Sequence, residues 1–323
     1  MTLFESLKLI PKVDMHIDFL GSIPIETIQK LSKSETTREE VENLVDFDSL
    51  KDYDNVKKIT RCLLNSFNNI EIALTDLINK LKSDNLLYGE LFINLNSFLG
   101  NLGKEKILET CLNVIRNENI CLNIVLEIDS DITKEDMYNS LNILYEYYHK
   151  GVSGVFFKKN KLESFETYKA LFDKFIKDDI RYIVVLDSKI TSQDKDIFFG
   201  ASRIIYNAMI KPDDTFLNTI RENNILLEFP ITYQNYFHIY DSLENHFVYD
   251  LFKDNVLLTF TTIDMTSLDT DLLNEYCKLF NVFPFSLHDM VLIIINVLNN
   301  INVSSELKNM LIDEFKEKAN ELL

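Results

Sequence analysis

The sequence predicts an α/β fold, a (β/α)8 TIM barrel, and three observations carry that expectation. Eight short β-rich runs alternate with helical patterns along the chain. The length of 323 residues and the 46% hydrophobic content suit one large barrel or two ordinary domains. No low-complexity linker, internal repeat or shift in composition divides the chain, so residues 1–323 are expected to form a single domain. An open doubly wound sheet is the competing arrangement.

The candidate strands are VDMHID (13–18), LLYGELFIN (86–94), CLNIVLEID (121–129), VSGVFFKK (152–159), RYIVVLD (181–187), SRIIYN (202–207), NILLEFPI (224–231) and VLLTFTT (256–262). Between them lie stretches such as KEKILETCLNVIRNEN and ETYKALFDKFIKDD, with apolar residues three and four apart, the spacing of an amphipathic helix. Thr133 with Asp136, and Ser286 with Asp289, have the spacing of capping boxes that open two helices. The stretch between strands one and two is too long for one helix, which predicts an inserted helical segment on that side of the barrel.

Composition narrows the function. A net charge of −18 argues against nucleic acid, because phosphate binding needs clustered Lys and Arg. No apolar run approaches the ~20 residues a bilayer crossing requires, and no secretory signal is apparent. Cys62, Cys111, Cys121 and Cys277 are scattered without metal-binding spacing and read as buried thiols in a reducing compartment, so a cytoplasmic protein is expected. Only 7 glycines are present, and phosphate-cradling or serine-nucleophile motifs are absent.

In a barrel the chemistry sits at the C-terminal ends of the strands. Alternation places His16 and Asp18 on one face of the first strand and Glu127 and Asp129 on one face of the third, while Asp187 and Asp264 follow two others. Acidic residues solvated at strand ends would give the same pattern.

Longer motifs sharpen this reading. PKVDMHIDFLGSIPIET resembles the opening of the adenosine deaminase family, approximately PKVELHxHLDGSxxPET. RIIYN (203–207) falls where the family has RxGHG, ENNILLEFPITYQ where it has ENxxxLExCPTSN, and TFTTIDM on TxNTDDP. Leu272-Leu273-Asn274-Glu275-Tyr276 matches the ending L-x-x-E-Y, His246 stands at the family's spacing, and LHDMVLIIINVLNN resembles the terminal helix with its asparagine, here Asn296. The resemblance covers most of the chain. It implies a zinc-dependent (β/α)8 hydrolase that replaces the 6-amino group of adenosine with water.

Carried over residue by residue, the resemblance implies a degraded site. The two histidines of the family's first zinc-binding motif match His16 and Asp18. The third zinc histidine matches Val185, and the zinc-binding aspartate matches Ile263. The proton-donating glutamate is Ser188, the histidine that assists the hydroxide is Tyr206, and the second aspartate survives as Asp264. The ribose-holding aspartate is Leu20, and a substrate-contacting glycine is Lys159. Valine and isoleucine have no lone pair for zinc, so no zinc is expected and adenosine deamination is not expected either. Side chains such as Lys159 and Tyr206 should occupy the mouth.

Three functions follow. The leading one is a noncatalytic, binding or regulatory homologue (a pseudoenzyme) whose altered mouth accepts an unidentified small molecule or protein partner. The second is a hydrolase of altered substrate, in which His16, Asp18, Asp187, Asp264 and Glu127 hold a hard divalent cation such as Mg²⁺ or Mn²⁺. The third is a structural protein whose mouth is plugged by Leu20, Val185 and Ile263. Single residues also have plainer readings. His16 can be a satisfied core histidine, Tyr206 a packed tyrosine, and Lys159 a counter-ion for Asp18 or Asp187. Asp264 can be the partner of His16, while His149, His238 and His288 read as surface residues.

Overall fold

Eight parallel strands hydrogen-bond in sequence order: β1 Lys12–Asp18, β2 Leu86–Ile93, β3 Leu122–Asp129, β4 Val152–Lys158, β5 Tyr182–Leu186, β6 Arg203–Tyr206, β7 Leu226–Phe229 and β8 Leu258–Phe260. The computed structural model describes residues 2–32, 50–99, 102–159, 165–187 and 195–322, with backbone only at 50–56 and 165–166. The ring closes just beyond β8. Ile263 N donates to His16 O at 2.9 Å, and Asp18 N donates to Ile263 O at 2.7 Å. These two bonds join the eighth strand to the first and complete a (β/α)8 barrel.

The strands are buried on both faces, as parallel strands between helices must be. Phe92, Val125, Phe156, Ile183 and Ile205 meet inside the barrel, with Val185 packed against them. The alternate positions, among them Leu91, Ile124, Val155, Val184, Ile204 and Leu227, belong to the larger core under the helices. Strand periodicity of two sorts the residues into these layers.

The inserted segment after β1 contains helices Ile25–Leu31, Leu50–Leu63 and Phe67–Ser83, the last capped by Ser66, which accepts from Asn69 N at 3.2 Å. The expected capping residues are in place: Ser286 and Asp289 form a full capping box, and Thr133 caps the helix Lys134–Tyr147. Strand eight is shorter than the expected 256–262. Its ladder with β7 ends at Phe260, because the chain then turns to bond with β1 instead. That turn places Ile263 at φ 56°, a left-handed conformation that a β-branched side chain rarely adopts.

Candidate functional site

A chain of buried ionisable groups crosses the barrel interior. His16 Nδ1 lies 2.6 Å from Glu228 Oε1, within hydrogen-bonding distance. Arg203 Nε is 3.1 Å from Glu228 Oε2, and Arg203 Nη2 donates to Glu90 Oε2 at 2.8 Å. Thr261 Oγ1 adds a bond to Glu228 at 3.1 Å, and Tyr88 and Ser153 hydroxyls donate to Glu90. The His16 ring stacks on Phe92, with centroids 3.6 Å apart and planes 14° apart. His16 is thus paired through Nδ1 within the core. Its partner is Glu228 rather than Asp264, a correction to the expected pair.

Asp18 and Asp264 face a different group. Lys57, on the helix Leu50–Leu63, places its ammonium 3.0 Å from Asp18 Oδ2 and 3.0 Å from Asp264 Oδ1. Gly21 N donates to Asp18 Oδ1 at 2.8 Å. Burial alone would raise the Asp18 carboxyl, but Lys57 and the Gly21 N–H outweigh it and hold the group below its ordinary value. Asp264 is fully buried, and among the described residues its oxygens receive no hydrogen bond. Burial first, and then the neighbouring Asp18, push its carboxyl well above the ordinary value. One ammonium therefore faces two carboxyl groups, one of them held below its ordinary value and the other pushed above it. Gly21 packs so tightly here that a Cβ would stand 1.7 Å from Asp264 Oδ1.

The remaining expected residues scatter. Val185 packs on the apolar cluster inside the barrel, and Ile263 holds the β1 junction with its backbone. Asp187 is exposed just beyond β5. Ser188 lies outside the described residues. Tyr206 was expected in the mouth, but it is buried in the outer core. Its hydroxyl donates to Ile210 O at 2.6 Å, and its ring packs between Phe229 and Phe247. The cause is strand alternation: Arg203 and Ile205 face the axis, so Tyr206 faces the helices. The same alternation along β4 brings Lys158, not Lys159, to the mouth, and the cation beside Asp18 is Lys57. His149, His238 and His288 are exposed, as surface residues would be.

Beside Lys57 a cavity of about 410 Å³ opens between the C-terminal ends of β1 to β4 and the helix Leu50–Leu63. Asp18, Leu20, Phe92, Phe98, Glu127 and Asp129 form its walls, and Lys58, Arg61 and Lys158 approach its rim. Asn94 Nδ2 donates to Asp129 Oδ2 at 2.5 Å, and Lys158 Nζ is 3.6 Å from Glu127 Oε1. Burial raises the Glu127 carboxyl, with Lys158 opposing it. The mouth is therefore apolar inside the barrel and open to one side of the axis, rather than closed throughout.

Sequence reasoning missed several buried groups. Lys57 sits in an ordinary amphipathic helix and gives no local signal. Glu228 does give one: it interrupts a buried apolar strand, LLEF, where a charge demands partners. Asp14 accepts from Thr262 Oγ1 at 2.7 Å and from His16 N at 3.1 Å, and burial lifts its carboxyl to about 7. His246, which the sequence did single out by its spacing, accepts from Val248 N through Nδ1 and faces Gln234 Oε1 through Nε2, both at 3.0 Å, while burial lowers its pKa to about 3. Among the described residues no group of three or more His, Cys, Asp or Glu is arranged to hold a metal ion. Among them also, no helix is long and apolar enough to cross a membrane.

Comparison with known proteins agrees with the architecture. A sequence model of the adenosine deaminase family matches residues 11–318. Adenosine deaminase from Clostridium kluyveri is 24% identical over 341 residues, covering 99% of this chain and 97% of the relative. Adenosine deaminase from Clostridium perfringens strain SM101 is 23% identical over 323 residues, covering 94% and 97%. Among solved structures, Arabidopsis N6-mAMP deaminase superposes with a TM-score of 0.84 at 18% identity, covering 97% of this chain and 99% of the other. Arabidopsis ADAL complexed with IMP gives 0.85 at 18% identity, covering 99% and 100%.

Proposed function

We propose that this chain, which belongs to the adenosine deaminase family, is a noncatalytic member that binds a small molecule or a partner through its barrel mouth. The observation that carries the reading is the Lys57 ammonium, 3.0 Å from each of Asp18 and Asp264. A catalytic zinc needs three nitrogen, oxygen or sulfur ligands at about 2.0–2.3 Å and an open position for water. The residues at the family's ligand positions do not fit that requirement. Val185 and Ile263 have no lone pair, and Asp18 already faces a cation that the chain itself supplies. An ammonium cannot polarise a water into hydroxide as a metal does, because it has no vacant orbital to accept a lone pair. No hydrolytic step is derived for this site.

The same geometry counts against a hard divalent cation on these residues, since Asp187 is exposed and the Lys57 ammonium already stands between Asp18 and Asp264. The open cavity supports binding over a purely structural role.

The test is elemental analysis of protein purified without chelator, paired with amine release from adenosine and from N6-methyl-AMP. Less than a tenth of an equivalent of zinc and no amine release are expected. Stoichiometric zinc with steady amine release would overturn the proposal.

A further inference from the structure

The cavity beside Lys57 is balanced in charge but divided in its placement. We infer that it binds a dipeptide as a zwitterion, with the terminal carboxylate at Arg61 and the terminal ammonium at Glu127. This inference rests on the binding role proposed above and deepens it.

Balance comes first. Among the described residues four cations line the cavity: Lys57, Lys58 and Arg61 on the helix Leu50–Leu63, and Lys158 at the end of β4. Four carboxylates line it as well: Asp18 at the end of β1, and Glu127, Asp129 and Asp131 at and just beyond the end of β3. A ligand with a net charge of either sign would upset that balance in a place partly closed to water. A ligand with one charge of each sign keeps it. Placement comes second. Three of the cations stand on the helix wall and three of the carboxylates on the β3 wall, so the cavity runs from a positive side to a negative one. A dipolar ligand is complementary to such a field in one orientation only.

Several of these charges are already engaged. Lys57 is 3.0 Å from both Asp18 and Asp264, Asp129 accepts from Asn94, and Lys58 has an interaction of its own within the chain. Arg61 is different. It is half-buried in the last turn of its helix, and its guanidinium has no hydrogen bond or ion pair among the described residues. Glu127 is its counterpart on the β3 wall. Only 10% of its side chain is exposed, its carboxyl receives no hydrogen bond among the described residues, and Lys158 Nζ at 3.6 Å is too far to give one. Burial raises the Glu127 carboxyl, so an ammonium delivered by a ligand gains more there than at an exposed acid. An arginine fork takes a carboxylate through two parallel hydrogen bonds. The two walls thus lack the two ends of one zwitterion.

Size sets the length of that zwitterion. A free amino acid holds both charges on one carbon, whereas a volume of about 410 Å³ lies between these walls. A dipeptide spreads its charged ends over two residues, roughly 6–7 Å. The volume also falls within the ~300–1,000 Å³ typical of cavities that take small organic molecules. Phe98 and Leu20 add apolar surface for a side chain between the ends.

Isothermal titration of the full chain with alanyl-phenylalanine, its N-acetyl form, its C-terminal amide and free phenylalanine tests the assignment. Wild type should bind the dipeptide about tenfold or more tightly than the other three, because each of them lacks a charge or the reach to place both. Arg61→Gln should lose about tenfold for the dipeptide yet bind the amide as wild type does. Glu127→Gln should lose about tenfold for the dipeptide yet bind the N-acetyl form as wild type does. Urea midpoints separate these losses from unfolding, and if a variant does not fold, the capped forms on wild type decide. The assignment is overturned by absence of dipeptide binding at millimolar concentration, or by either capped form or free phenylalanine binding equally well. A folded variant that binds the dipeptide like wild type overturns it too. Zinc content and amine release separate the two proposals. Dipeptide binding with zinc and amine release leaves this site standing and removes the noncatalytic reading; absence of all three does the reverse.

Discussion

Lys57 lies 3.0 Å from Asp264, a carboxyl that among the described residues receives no hydrogen bond. The same ammonium is 3.0 Å from Asp18, so removing it leaves two acidic groups against each other in a buried place. Breaking such a cluster from one side costs about 3–5 kcal/mol. Lys57→Met should therefore lower the unfolding free energy by about that amount at pH 7.5, read from urea denaturation. The loss should shrink by pH 5, where the stranded Asp18 takes up a proton. A loss that is the same at both pH values would contradict the arrangement.

Asp14 and His246 titrate with opposite effects on stability. Asp14 is raised from 3.8 to about 7 by burial, so the folded state holds its proton more tightly than the unfolded chain. Its contribution is complete below pH 3.8 and is lost as pH rises through about 7. His246 is lowered from 6.5 to about 3 by burial, so its contribution is complete above pH 6.5 and is lost as pH falls toward 3. Each amounts to something on the order of 4–5 kcal/mol, and the two offset one another between pH 4 and 6.5. Asp14→Asn should unmask a stability that rises with pH across this window, and His246→Gln one that falls. Parallel profiles for the two variants would rule out the opposing signs.

Arg203 holds Glu90 and Glu228 at 2.8 and 3.1 Å with only 3% of its side chain exposed. Arg203→Met should cost about 3–5 kcal/mol, and adding Glu90→Gln should recover part of it by removing one stranded charge. A double-mutant cycle on urea midpoints reads the coupling. Strict additivity would show that the three groups do not act together.

Ile263 at φ 56° offers a gain rather than a loss. Left-handed geometry costs a side chain with a Cβ about 1–2 kcal/mol, and asparagine tolerates it best after glycine. Its N–H and carbonyl bond to His16 O and Asp18 N, so the backbone has no freedom to relax. Ile263→Asn should raise stability by up to about 1 kcal/mol, whereas Ile263→Val, still β-branched, should not. Destabilisation by asparagine beyond that by valine would refute the argument.

Most of the architecture was legible because it depends on local periodicity. The third strand was expected at 121–129 and runs Leu122–Asp129, and the box at Ser286 and Asp289 forms as its spacing implied. Strand eight was read too long, since what ends it is a pairing with β1 that no local pattern encodes. At the site, His16 and Asp18 do share an inward face, but their partners come from far along the chain. Glu228 could have been found as a lone charge in a buried strand. Lys57 could not, because a lysine on an amphipathic helix looks the same whether it meets solvent or two carboxylates. Alternation, applied one strand at a time, would also have turned Tyr206 and Lys159 away from the mouth.

A cation carried on a side chain differs from a bound ion in supply as well as in chemistry. The Lys57 ammonium is present at one equivalent from the moment the chain is made, and its local concentration does not follow that of the surroundings. No chelator can strip it, no competing ion can be inserted in its stead by mass action, and scarcity of metal leaves it unaffected. The folded barrel mouth between Asp18 and Asp264 is in that sense provisioned by translation alone.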